Sequence, residues 1–169
     1  MERLNIYFMH SNKFDYENLI YKKVLSSSVC LMQNVILPYS DNNKTKYAKD
    51  LIKNADLVIV DLYKPSFGLS LELKWLSKIK DKKILFLSQD NMIPKKYQKI
   101  VTNLTKYDEN NTYIKLIEHF INKELEIRSK VKDNVYTIGE INWNRNLNGQ
   151  KLHNRLLKKC TTNYSKFAQ

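Results

Sequence analysis

Residues 55–72 read ADLVIVDLYKPSFGLSLE. Within this stretch, Leu57 to Leu62 holds five apolar residues in six, broken only by Asp61. A short β-branched run of this kind forms a strand buried on both faces. Pro65, Ser66 and Gly68 punctuate a turn after it. A helix then opens with Glu72 in its first turn. An acid just beyond the carboxyl end of a buried strand lies where open α/β sheets bind ligands.

Outward from this segment the same alternation repeats. Leu4 to Met9, Asn34 to Pro38 and Lys83 to Ser88 read as further strands, and Val101 to Leu104 as a fifth. Apolar residues at helical spacing predict helices over Phe14 to Ser26, Lys46 to Asn54, Ser70 to Ile79, Pro94 to Ile100 and Asn111 to Arg128. In Ser70 to Ile79 the apolar side is Leu71, Trp75, Leu76 and Ile79, and Trp75 reads as core. The fold class is therefore α/β. A parallel sheet carries helices on both faces and is joined by right-handed crossovers. Residues 1–128 form this domain, and 129–169 a basic C-terminal extension. In that extension Asn134 to Trp143 reads as a short strand or hairpin and Lys151 to Lys159 as helical.

Hydrophobic residues make up 43 % of the 169, enough for a real core. Gly and Pro are rare, three of each, which argues against linkers and low-complexity arrays. No apolar run approaches the roughly 18 residues of a membrane span. The start, MERLNIYFMHSN, enters a strand directly and lacks signal-peptide features, so a cytoplasmic protein is expected. Cys30 and Cys160 have no metal-type spacing and read as free thiols. Of the net charge of +12, half lies after Arg128, where eight Lys/Arg face two Asp/Glu. Nucleic acid could bind such a tail, but no Arg cluster or base-stacking motif accompanies it, and a solvated surface is the favoured reading. The turn after the first strand, His10-Ser11-Asn12-Lys13, is no GxGxxG, and Walker, HExxH and GxSxG motifs are missing.

Glu72 at a helix start would be held ionised by the dipole and the open N–H groups. An ionised carboxylate can capture the oxocarbenium-like anomeric carbon of a sugar. The turn from Pro65 to Ser70 offers the Ser66 and Ser70 hydroxyls, backbone N–H groups and Gly68, a combination suited to phosphate. The first-strand edge adds Tyr7, His10 and Ser11, with Lys13 as a further phosphate contact. Each residue also has a plain structural reading. Glu suits any first helical turn, Asp61 can cap or pair with a Lys, His10 can be a loop post, and Lys13 can be solvated.

The segment is similar to the signature of the nucleoside 2-deoxyribosyltransferase-like superfamily. It looks closest to the 2'-deoxynucleoside 5'-phosphate N-hydrolase branch. Ala55-Asp56, Asp61, Pro65-Ser66, Gly68 and Glu72-Leu73 match that signature without a gap, and Tyr7-Phe8 through Ser11 resembles the family's opening YF-x-x-S. The likeness covers roughly residues 4 to 122. It implies a flavodoxin-like (Rossmann-like) five-stranded sheet and a homodimer whose partner completes each pocket. It implies Glu72 as the nucleophile of a glycosyl-enzyme intermediate, Tyr7 as its orienting group and Asp61 as a further acid of the site. Ser66 takes the place of the phosphate-binding Ser, Ser11 and Ser70 would line the phosphate or sugar site, and Asn91 would be the residue lent across the dimer. The substrate would be a nucleoside or its 5'-monophosphate, cleaved or transferred with no metal or organic cofactor. This chain departs from the family at Ala48, where a second acid is usual, at Ser70 and Lys74, where Gly is usual, and in its bulky first turn. Ala48 favours an alternative reading as a non-catalytic nucleotide- or nucleic-acid-binding module. A third reading is an NAD glycohydrolase of the Toll/interleukin-receptor type.

Overall fold

The computed structural model describes residues 3–40, 47–90, 93–108 and 112–145. Five strands, β1 (Asn5–Met9), β2 (Asn34–Ile36), β3 (Leu57–Asp61), β4 (Lys83–Ser88) and β5 (Leu104–Lys106), form one all-parallel sheet. Its order is β2-β1-β3-β4-β5, the flavodoxin-like order. Winding reverses between β1 and β3, and the crevice at their carboxyl ends is where such sheets bind ligands. Between the strands run a π-helical turn (Glu17–Tyr21) leading into α1 (Lys22–Leu25), then α2 (Ser28–Met32), α3 (Ala48–Asn54) and α4 (Phe67–Leu76). A 3-10 turn (Lys95–Tyr97) precedes β5, and α5 (Thr112–Arg145) follows it.

Strand register decides which side chains share a face. Tyr7 and Met9 of β1 lie beside Val58 and Val60 of β3, and Val60 beside Phe86 of β4. All five enter one core with Ile52 of α3 and Leu69, Leu73 and Leu76 of α4. Successive strand residues alternate sides, so Ile6, Phe8, Leu57, Ile59 and Asp61 point to the opposite face. There Tyr107, bonded to Asp61, packs edge-on against Tyr113 of α5, with ring centroids 4.8 Å apart. Helices thus cover both faces, as the sequence pattern predicts.

Several elements differ from the sequence pattern. The helix read over Phe14 to Ser26 is a π-helical turn followed by the short α1, and the one read over Pro94 to Ile100 shrinks to the 3-10 turn. Four further differences have a local cause or bear on the site. Helix α4 begins at Phe67, not Ser70, because the Leu69 N–H donates to the Ser66 hydroxyl and caps the helix there. Residues 28–32 add α2, a short turn of helix after α1. Strand β5 starts at Leu104 rather than Val101, since the N–H groups of Ile100 and Val101 both donate to the Tyr97 carbonyl and keep the backbone curled. Helix α5 runs to Arg145, through the stretch read as a strand or hairpin. No proline interrupts it, and a single Gly139 is tolerable inside a helix. Lys151 to Lys159 lies outside the described residues. The chain divides after Ile121 into two units, the first holding the sheet. In the second, Lys130 pairs with Glu126 at 2.6 Å, one helical turn apart. Among the described residues no helix is long and apolar enough to cross a membrane.

Candidate active site

Helix α4 buries Leu69, Glu72, Leu73 and Leu76, an i, i+3, i+4, i+7 stripe facing the sheet. Glu72 is the charged member of this otherwise apolar stripe, and only 8 % of it is exposed. The sequence reading put Leu71, Trp75, Leu76 and Ile79 on the apolar side; of these Leu76 is in the buried stripe, and Trp75 and Ile79 pack against the same core. Leu71 is exposed and Trp75 half-buried. With the helix starting three residues earlier, Glu72 is its sixth residue and stands beyond the first turn, where the dipole acts.

The Tyr7 hydroxyl, rising from the middle of β1, donates to Glu72 Oε2 at 3.3 Å. Burial pushes the Glu72 carboxyl from its ordinary 4.5 up to about 7, and the Tyr7 hydrogen bond pulls it part of the way back. Burial and the carboxylate together hold the Tyr7 phenol far above its usual range. Among the described residues Tyr7 is the only hydrogen-bond donor to this carboxylate, and no buried polar side-chain atom lacks a partner. Glu72 Oε1, which has no donor among them, therefore keeps some contact with solvent. The arrangement presents a largely buried carboxylate with one oxygen unpartnered among the described residues, backed by a phenol from the middle of β1.

The start of α4 lies beside it in sequence, and its hydroxyls are already engaged. Ser66 Oγ accepts the Leu69 N–H at 3.2 Å. Ser70 Oγ donates to the Ser66 carbonyl at 3.0 Å and accepts from Tyr97 at 2.6 Å and from Lys96 Nζ at 2.9 Å. This uses the one proton and both lone pairs of the Ser70 hydroxyl. Gly68 stands inside the first turn, and a Cβ there would meet only Ser66 Oγ, at 3.8 Å. Its role is therefore not steric. The cationic group at this helix start is Lys96.

After β1, His10 is 1 % exposed and fully partnered. Its Nδ1 lies 2.9 Å from the Ser11 carbonyl, which can only accept, so the proton is on Nδ1 and Nε2 accepts from the Tyr21 hydroxyl at 3.0 Å. The Tyr21 oxygen in turn accepts the Tyr39 N–H at 3.1 Å. Rings of Phe14, Tyr16, Tyr21 and Tyr39 surround the imidazole at 4.8 to 6.2 Å. Burial drives His10 down to about 4, so at neutral pH it is an uncharged post tying the β1 and β2 ends together. Ser11 is buried, with its hydroxyl accepting the Lys13 N–H at 3.1 Å, while Lys13 is exposed.

Asp61 does not join Glu72 and Tyr7. It lies on the other face of the sheet. Its Oδ2 accepts the Tyr107 hydroxyl at 2.7 Å and its Oδ1 the Tyr63 N–H at 2.8 Å. Burial raises its carboxyl to about 6 against the pull of both hydrogen bonds. Asn91 lies outside the described residues. Among the described residues no three His, Cys, Asp or Glu side chains converge as a metal site would require.

Sequence reasoning missed Tyr39, Tyr97, Tyr107 and Lys96. Tyr39 and Tyr107 each follow a strand's carboxyl end, the position at which a parallel sheet builds its site, and that placement was the available signal. No family model matches this chain, nor does any curated protein match it at a significant level.

Proposed function

We propose that this protein cleaves or transfers the N-glycosidic bond of a nucleoside or nucleoside 5'-monophosphate, with Glu72 as nucleophile. The observation that carries the reading is a carboxylate in the apolar stripe of α4, hydrogen-bonded by Tyr7 at 3.3 Å with Oε1 left open. A structural Glu belongs on the solvated side of such a helix, because burying a carboxylate is costly unless something returns the energy. In the proposed step Oε1 attacks the sugar C1', and the C1'–N bond breaks with its electron pair leaving on the base. Water or a second base then attacks C1', and the carboxylate departs. Desolvation raises the energy of the Glu72 anion and so strengthens it toward a carbon developing positive charge. Tyr7 fixes the rotamer and carries none of the bond changes. The base takes its proton from solvent in this scheme, since Ala48 has no acid and Asp61 faces away.

A second reading, binding without turnover, is favoured specifically by Ala48. Incubation with nucleosides, their 5'-monophosphates and NAD, followed by chromatography for free base, separates the readings. Release of base that falls by about 10²-fold or more in Glu72→Gln supports the nucleophile. Binding of a nucleotide with no base released supports the module, and base release from NAD alone supports a glycohydrolase. Homodimerisation belongs to the same proposal and is read by sedimentation of the full chain.

A further inference from the structure

The buried carboxylate on the far face has its own architecture. Asp61 is the last residue of β3 and only 1 % exposed. Its Oδ1 takes the Tyr63 N–H, closing a side-chain-to-backbone turn over two residues. The next residue, Lys64, is forced to φ 44°, left-handed backbone that a non-glycine residue adopts at a cost. Pro65 and the capping Ser66 follow, and α4 begins. The Tyr107 hydroxyl holds the second carboxylate oxygen at 2.7 Å and so sets its rotamer. The geometry points to Asp61 as a positioning residue: clamped by Tyr107 and Tyr63, it fixes the strained turn from which α4 is launched, and so seats Glu72 against Tyr7. The sheet separates Asp61 from Glu72, so the influence runs through the backbone of residues 61–66.

Two similar closures support this. Ser11 Oγ accepts the Lys13 N–H after β1, and Ser88 Oγ accepts the Asp90 N–H after β4, both over two residues. At β3 alone of these three the group is a carboxylate with a further buried donor, and the turn that follows is left-handed at Lys64, unlike the turn after β1. A cap without positional demand is served by a serine, as at the neighbouring strands.

The sign of one measurement separates positioning from a charge effect. Titratable groups interacting with Glu72 are Tyr7 of β1 and Tyr39 beyond β2, whereas those interacting with Asp61 are Tyr107 beyond β5 and Tyr113 of α5. If α4 shifts, the Tyr7 hydrogen bond weakens and the Glu72 carboxyl titrates higher. Direct removal of a neighbouring negative charge would move it lower.

The test is a 13C-detected NMR titration of the Glu72 carboxyl in the full chain, its resonance identified by its loss in Glu72→Gln. In Asp61→Ala the midpoint should rise by about half a unit, a partial loss of the hydrogen bond Tyr7 gives to the ionised carboxylate. Asp61→Asn, which keeps an acceptor for Tyr63, should shift it less. Should Asp61→Ala not fold, Tyr107→Phe keeps ring and carboxylate while removing the clamp, and it should shift Glu72 in the same direction. A folded variant in which Glu72 titrates as in the wild type, or lower, overturns the proposal. The kinetic consequence rests on Glu72 being the nucleophile: kcat should fall about tenfold in Tyr107→Phe with KM little changed. Wild-type protein that releases no base would remove the glycosidic reading, while the titration still decides the positioning.

Discussion

Replacing Glu72 by Gln should make this protein more stable at neutral pH, and by an amount that depends on pH in a fixed way. The folded protein holds the Glu72 proton with a midpoint of about 7 against an ordinary 4.5. An acid whose midpoint is raised on folding contributes stability that is fully present below its unfolded value and is lost as pH rises through its folded one. The window is therefore about pH 4.5 to 7, and the wild type loses about 1.4 kcal/mol per unit across it, about 3 kcal/mol in all. Gln does not titrate. Any constant cost of its amide at the Tyr7 contact offsets the difference between the proteins but not its slope. Asp61, raised to about 6, titrates in both proteins and cancels. Urea unfolding followed by circular dichroism, at half-unit steps from pH 4 to 9, gives the difference directly. It should climb between pH 4.5 and 7 and level off above pH 8. A difference that stays flat across that range would mean a solvated carboxylate, and the description of Glu72 as a desolvated group would fail with it. A stability gain accompanied by lost base release is the signature of a residue kept for chemistry at the expense of the fold.

Three further outcomes follow from the same geometry. Base release by the wild type should rise with pH through about 7 as Glu72 deprotonates, so a profile flat from pH 5 to 8 contradicts a carboxylate nucleophile in this environment. Lys64→Gly, at φ 44°, should raise stability by about 1 kcal/mol, because glycine adopts left-handed backbone without a Cβ clash; a lower unfolding midpoint in urea would show that the turn is unstrained. Ser66→Ala removes the acceptor for the Leu69 N–H and should cost about 1 kcal/mol. Thermal unfolding reads that loss, and an unchanged midpoint would exclude Ser66 as the working cap of α4.

Much of the architecture was legible along the chain. Continuous apolar runs such as Leu57 to Val60 and Leu85 to Leu87 are what strands of a parallel sheet look like when both faces are covered. The helix of α4 was legible as well, but its start was not. Gly68 and Pro65 read as turn residues, yet Pro65 precedes the cap and Gly68 fits within the first turn once Ser66 accepts the Leu69 N–H. The three-residue error left Leu69 outside the predicted helix, so the apolar side was drawn through Leu71 and Trp75 and Glu72's place in the buried stripe was hidden. The pattern Leu69-Glu72-Leu73-Leu76 was present throughout, and a charged residue at a core position was the strongest available signal of a site.

Composition and periodicity, acting through local hydrogen bonding and burial of apolar faces, are enough to specify alternating strands and helices and to place an acid near a strand's carboxyl end. They cannot assign side chains to faces across strands, because alternation has a period of two and one residue of slip inverts every assignment. Pairing of Tyr7 with Val58 puts the phenol on the side of α4, where it meets Glu72, and the same register turns Asp61 to the other side, against Tyr107. The separation of two carboxylates that lie eleven positions apart in one motif is a property of strand pairing, which joins residues distant in the chain.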